Sequence, residues 1–261
     1  MSEDLKGCCA NLYESDFARM LLGDSFHPGG VRLTERLGIM LQLGSGVGVL
    51  DVASGKGESA IFLARRFGCE VVGIDFGADN VKESNSRALA AGVSGLVSFR
   101  QGDAEKINFP DASFDVIICE CAFCTFPDKR AAASEFARIV RPGGRVGLSD
   151  LTRSITLPPE LRGLLAWIAC IADARPAKEY VGYLEAAGLG NALVEAHDEA
   201  LAEMVRDIQG KLLGAEVMSK LKKLDLEGVD FAQAKTLARA AADAVRAKTL
   251  GYAIIAAQRG P

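Results

Sequence analysis

The chain has 261 residues, 49% of them hydrophobic and 25% charged, with seven cysteines and two histidines. A formal net charge of −4 argues against a nucleic-acid or anionic-membrane partner, and seven cysteines are too few for a disulfide scaffold. The amino-terminal residues lack a secretory texture, and the most continuous apolar run, GLLAWIACIA (163–172), is too short to span a bilayer. The expectation is a cytoplasmic protein acting on a small molecule, with no nucleic-acid and no membrane partner; its oligomeric state is not legible.

Residues 1–46 carry helical patterning broken by GDSFHPGG (23–30), where Pro28, Gly29 and Gly30 force a turn. From residue 47 short apolar runs alternate with segments of helical spacing. Strands are expected at 47–52, 70–75, 96–101, 114–119 and 145–150, and helices at 59–67, 80–91 and 129–140. Most of the strand runs are continuously apolar, the signature of parallel strands buried on both faces. After 150 the alternation stops: 154–187 reads as mostly helical and 192–197 as a sixth strand. Residues 198–248 read as a helical region interrupted near 228–231, and 250–258 as a closing strand. The expected fold is α/β, a doubly wound, mostly parallel seven-stranded sheet with a helical lid inserted before the last strand. Its expected parts are an amino-terminal lid segment (1–34), a ligand-binding core (35–153), a helical cap (154–248) and the closing strand (249–261).

In open α/β sheets ligands sit at the carboxyl ends of the strands, where the strand order reverses. The first such segment is VLDVASGKGES (49–59): Asp51 at a strand end, then a loop in which Gly55 and Gly57 let backbone approach a ligand. Gly55, Gly57 and Ala60 also satisfy the G-x-G-x-x-A fingerprint of dinucleotide enzymes, so this loop alone leaves both readings open. Asp75 ends the second strand, placed to accept ribose hydroxyls. Asp103, after the third, is placed for an adenine amine and is no part of the dinucleotide fingerprint. RIVRPGGRVGLSD (138–150) supplies a helix end, a Pro-Gly-Gly turn and a strand.

In order and spacing these four segments resemble the class I S-adenosylmethionine-dependent methyltransferases, over roughly residues 35–150, with a Rossmann-like sheet. The resemblance implies S-adenosyl-L-methionine as cofactor. It places Asp51 and the loop residues Ala53, Ser54, Gly55 and Gly57 at the methionine end, and Asp75 with its neighbour Phe76 at the ribose. Asp103 and Ala104 fall at the adenine, and Glu120 where cofactor and substrate are contacted. Ala53 stands where the family usually has the first glycine of its loop.

The substrate is read from the cysteines. FDVIICECAFCTFPDK (114–129), IACIADARPAKEYVGYLEAAGL (168–189) and DLKGCCANLYE (4–14) resemble segments of the arsenite methyltransferases, whose further cysteine is replaced here by Ser59-Ala60. Trivalent arsenic is soft and prefers thiolates. That branch implies a substrate site of Cys121, Cys170 and one of Cys8 or Cys9, with Cys124 nearby, and Cys121, Cys170 and Glu120 as catalytic residues. A competing reading is a small organic amine, thiol or carboxylate, with the cysteines as packing and Trp167, Tyr180 and Tyr183 as aromatic surface. A third is a non-catalytic thiol-rich metal site or sensor using Cys8, Cys9, Cys121 and Cys124, although their spacing fits no zinc motif and no resident metal is expected. Cys69 reads as a small buried hydrophobe and Cys119 as either that or a ligand. His27 with Asp24 is a His–carboxylate pair fit for a base or for a turn contact, and His197 reads as a capping or surface residue.

Overall fold

A computed structural model describes residues 27–161, 170–220 and 230–261. Helix α1 (Val31–Met40) leads into β1 (Gly48–Val52), α2 (Glu58–Phe67), β2 (Glu70–Asp75), α3 (Ala78–Ala90), β3 (Val97–Gln101) and β4 (Phe114–Glu120). There follow α4 (Lys129–Ile139), β5 (Val140–Arg153), α5 (Ala177–Ala186), β6 (Leu189–Ala196), α6 (Asp198–Lys220), α7 (Phe231–Arg246) and β7 (Leu250–Arg259). The seven strands form one sheet in the order β3-β2-β1-β4-β5-β7-β6. β1 to β5 pair in parallel, and β7 enters antiparallel between β5 and β6. The expected doubly wound sheet is therefore present, and the strand order reverses between β1 and β4.

Burial explains the continuous apolar runs. Leu50, Ile117, Ile118 and Leu148 are fully buried in the central strands, under helices on both faces. Helix α1 lies on β5 because residue 147 is glycine: a Cβ there would come within 2.6 Å of Leu37 and of Leu41. Helix α4 starts where Asp128 accepts hydrogen bonds from the backbone N–H groups of Arg130 and Ala131, so the aspartate of the Pro-Asp-Lys segment is an N-cap.

The boundaries shift in two places. β5 runs over 14 residues and carries the Pro-Gly-Gly segment inside it, with a register shift opposite Phe114 and Val116. Val140 already pairs with Phe114, so the strand begins before the turn signal rather than after it. Within 154–187 the described residues form a short 3-10 turn at Pro159–Leu161 and α5, with turns from 170 to 176. The helices α6 and α7 stand between β6 and β7, where the lid was expected. Among the described residues no helix is long and apolar enough to cross a membrane.

Candidate active site

The loop after β1 is built around one carboxylate. Asp75, at the end of β2, accepts from the backbone N–H of Gly55 (2.8 Å) and of Gly77 (2.9 Å) and from the Asn80 amide (3.1 Å). Burial pushes its pKa up, and these three donors oppose the shift. The loop turns at Gly57, φ +79°, which opens α2; a Cβ there would run into the Phe99 ring and lie 2.9 Å from Ser84 Cβ. Ala53 adopts φ +59°, the left-handed conformation that glycine occupies without cost. Alanine at this position keeps the turn and carries its strain.

Asp51 closes the rim on the β1 side. It is buried, and its Oδ2 and the Ser54 hydroxyl have no hydrogen-bond partner among the described residues. Burial first, then the charges of Glu120 and Asp75, push its pKa well above the ordinary carboxylate range. A carboxylate held this way calls for a cationic partner, and an amino acid ammonium group meets the need. On the β3 side Asp103 accepts from the Glu105 N–H (2.9 Å), Ala104 is buried beside it, and Phe76 is partly exposed with its carbonyl taken by the Gln101 amide. The rim thus offers an acid for an amine, a loop of backbone N–H groups and two further acids. These features fit S-adenosylmethionine, whose sulfonium makes its methyl group electrophilic.

Glu120, at the end of β4, is the hub of a second, buried polar group. It accepts from Thr34 Oγ1 of α1 (3.0 Å), from Ser59 Oγ of α2 (2.6 Å) and from Ser149 Oγ of β5 (3.2 Å). Ser149 in turn lies 3.0 Å from the hydroxyl of Tyr252, which donates to it from β7. His27 sits on the same hub, with Nε2 3.3 Å from Thr34 Oγ1 and 3.7 Å from Glu120 Oε2, while Nδ1 donates to the Pro28 carbonyl at 3.2 Å. The sequence singled out Glu120 and His27 but paired the histidine with Asp24, which lies outside the described residues. Thr34, Ser59, Ser149 and Tyr252 come from four separate elements and carry no motif.

The thiols gather behind β4. Cys170 Sγ donates to the Cys121 carbonyl (3.2 Å) and lies within hydrogen-bonding reach of the Cys121 and Cys124 thiols. Cys121 and Cys170 both adopt positive φ, 52° and 63°. The adjacent Cys170 thiol, then burial, push the Cys121 thiol well up; burial first, then Cys170, does the same to Cys124. Asp150, fully buried on β5, accepts from the backbone N–H groups of Cys124 (2.9 Å) and Leu151 (2.7 Å) and is pushed up to about 7, mainly by burial. Cys69 and Cys119 are buried in the core. Cys8, Cys9 and Trp167 lie outside the described residues. Among those described, no three His, Cys, Asp or Glu side chains are placed to hold a metal ion. Tyr180 is a core residue whose hydroxyl donates to the Leu151 carbonyl, and Tyr183 is covered by Arg130. His197 stands half-buried at the capping position before α6, where its carbonyl accepts from the Ala200 N–H, and its Nε2 lies 3.0 Å from Glu195.

A sheet of this order, with acids at the ends of β1 and β2 around a glycine loop, is a doubly wound α/β fold with its ligand-binding rim at the carboxyl ends of the strands. The profile of the methyltransferase domain matches residues 50–148. Over 265 aligned residues the chain is 31% identical to 27-O-demethylrifamycin SV methyltransferase of Amycolatopsis mediterranei, covering 94% of this chain and 93% of that protein. It is 28% identical to the O-methyltransferase resE of Aspergillus sclerotiorum, over 87% and 81% of the two chains. The chain belongs to the class I S-adenosylmethionine-dependent methyltransferases. Among solved structures, phosphoethanolamine N-methyltransferase 2 of Haemonchus contortus with S-adenosyl-L-methionine superposes with a TM-score of 0.82 at 16% identity, over 98% of this chain and 60% of that one. The protein is therefore an S-adenosylmethionine-dependent enzyme that methylates small molecules; the arsenite branch is not among these relatives.

Proposed function

We propose that this enzyme transfers the methyl group of S-adenosylmethionine to a hydroxyl of a small organic molecule. The supporting observation is the near full-length similarity to 27-O-demethylrifamycin SV methyltransferase, which spans the rim as well as the segments after β5. In this reading Asp51, Ala53, Ser54, Gly55 and Gly57 hold the methionine end of the cofactor. Asp75 and Phe76 hold the ribose, Asp103 and Ala104 the adenine, and Glu120 faces the acceptor. Rate enhancement comes mainly from alignment of the acceptor with the methyl carbon and from exclusion of water. The test is a screen with radiolabelled S-adenosylmethionine against phenols, aliphatic alcohols, amines, thiols and arsenite. Label in hydroxyl compounds is the expected result, and label confined to amines, thiols or arsenite refutes the reading.

A second reading, thiolate capture of trivalent arsenic, is favoured by one observation, the contact between Cys170 and Cys121. It needs a third thiolate from Cys8 or Cys9, and it must overcome the Cys170 contact and the burial that hold Cys121 and Cys124 as thiols. Under it, Cys121→Ser and Cys170→Ser each abolish arsenite methylation with cofactor affinity kept. Under the hydroxyl reading, both variants methylate alcohols within about threefold of the native rate. The free cysteines suit a reducing, cytoplasmic setting under either reading.

A further inference from the structure

The Glu120 cluster includes an imidazole, that of His27. Among the described residues the hydrogen-bond partner of His27 Nδ1 is the Pro28 carbonyl, which can only accept, so in the neutral imidazole Nδ1 carries the proton and Nε2 the lone pair. The hydroxyls of Ser59 and Ser149 donate to the Glu120 carboxylate, and the Thr34 hydroxyl reaches both that carboxylate and Nε2. Nε2 lies 3.3 Å from Thr34 Oγ1 and 3.7 Å from Glu120 Oε2. The ring nitrogen, the Thr34 hydroxyl and the Glu120 carboxylate thus meet in one place, where a proton added to the ring faces a carboxylate.

Resting on the reading that the acceptor is a hydroxyl compound, we infer that His27 is the base of the reaction, with Glu120 and Thr34 as its positioning residues. As the acceptor oxygen uses a lone pair to form the O–CH3 bond, the S–CH3 bond breaks and its electron pair stays on sulfur, giving a neutral thioether. The hydroxyl proton passes to His27 Nε2. The resulting imidazolium donates to Thr34 Oγ1 and faces Glu120, which supplies the compensating charge at 3.7 Å. The other groups around this centre are the hydroxyl of Ser59 from α2, Asp51 from β1, which acts on Glu120 electrostatically, Tyr252 from β7 through Ser149, and the thiol of Cys121 after β4. None of them is a cation that would compete for Glu120. His27 and Glu120 are nearly buried, with side chains 7% and 4% exposed, so the charge pair forms out of bulk water.

One arm of the test needs no acceptor. Nitrogen-15 NMR of histidine-labelled protein, with His197→Gln removing the other histidine, reads the tautomer of the neutral ring. The expected signature is Nδ1–H; an Nε2–H ring overturns the inference, because its lone pair then points at the Pro28 carbonyl. The second arm uses the best hydroxyl substrate from the labelled-cofactor screen. His27→Gln is expected to lower kcat at least a hundredfold and to remove the acidic limb of its pH profile, while S-adenosylhomocysteine affinity by calorimetry stays within twofold. Glu120→Gln is expected to lower kcat and displace that limb, an effect a purely structural role would not produce. An unchanged kcat and pH profile in His27→Gln overturns the base role even where hydroxyl methylation stands. If the native enzyme methylates no hydroxyl compound, the acceptor reading fails, and the NMR arm alone decides the proton-accepting place.

Discussion

Asp150 gives the sharpest quantitative test. Its carboxyl is fully buried, and in the folded protein its pKa is pushed from 3.8 up to about 7, mainly by burial and next by the Cys170 thiol. A carboxyl that binds its proton more tightly when folded weakens the fold wherever the unfolded chain is free to ionise. Below about pH 4 both states are protonated and the penalty is absent; it grows as the pH rises through the interval to 7 and is then constant. A difference of that size corresponds to about 4 kcal/mol, of which about 3 kcal/mol falls between pH 5 and pH 8. Asp150→Asn removes the ionisation. It keeps an acceptor for only one of the two N–H groups, from Cys124 and Leu151, so it forfeits about 1 to 2 kcal/mol at every pH. The variant should therefore be close to or below the native protein in stability at pH 5 and more stable by about 2 kcal/mol at pH 8. Urea unfolding at both values, without cofactor, measures this as a midpoint shift at constant slope. Parallel pH dependences in the two proteins would refute the reasoning.

The glycine loop supplies two opposed predictions from a single methyl group. Gly57→Ala must place an alanine at φ +79° against Phe99 and Ser84, at a cost of about 2 to 5 kcal/mol from backbone strain and overpacking; thermal unfolding should show a fall of about 5 to 15 °C, with weakened S-adenosylhomocysteine binding by calorimetry. Ala53→Gly relieves the strain at φ +59°, about 1 kcal/mol, and loosens the unfolded chain by nearly as much. Its melting temperature should stay within about 3 °C of native; a large loss would mean that the Ala53 methyl group is needed for packing.

The sheet was legible because burial on both faces writes itself as continuous apolar runs, and the rim because its acids and glycines follow those runs directly. Asp51, Asp75, Gly55 and Gly57 needed no knowledge of distant residues. The hub of Glu120 was not legible in the same way. Ser149 and Tyr252 are 103 positions apart and meet only because β7 inserts beside β5. Thr34 and Ser59 are ordinary polar residues on helices until α1 and α2 pack together. The cysteines were conspicuous, but spacing does not reveal protonation state. That Cys121 and Cys124 are held as thiols follows from burial and from the neighbouring Cys170, neither of which a motif encodes. β5 was underestimated because Pro142 and Gly143 look like punctuation, whereas the strand accommodates them at a bulge opposite Phe114 and Val116.

The antiparallel insertion of β7 ties synthesis to competence. When β1 to β5 have left the ribosome, the parallel core can assemble, yet the hydrogen-bonding edge of β5 is bare and Ser149 lacks the Tyr252 phenol. Only residues 250–259, made after everything else in the sheet, fill that edge and wedge β6 against the rest. A nascent or proteolytically clipped chain short of this strand would expose a sticky border and leave Ser149 without its phenol partner at the same time.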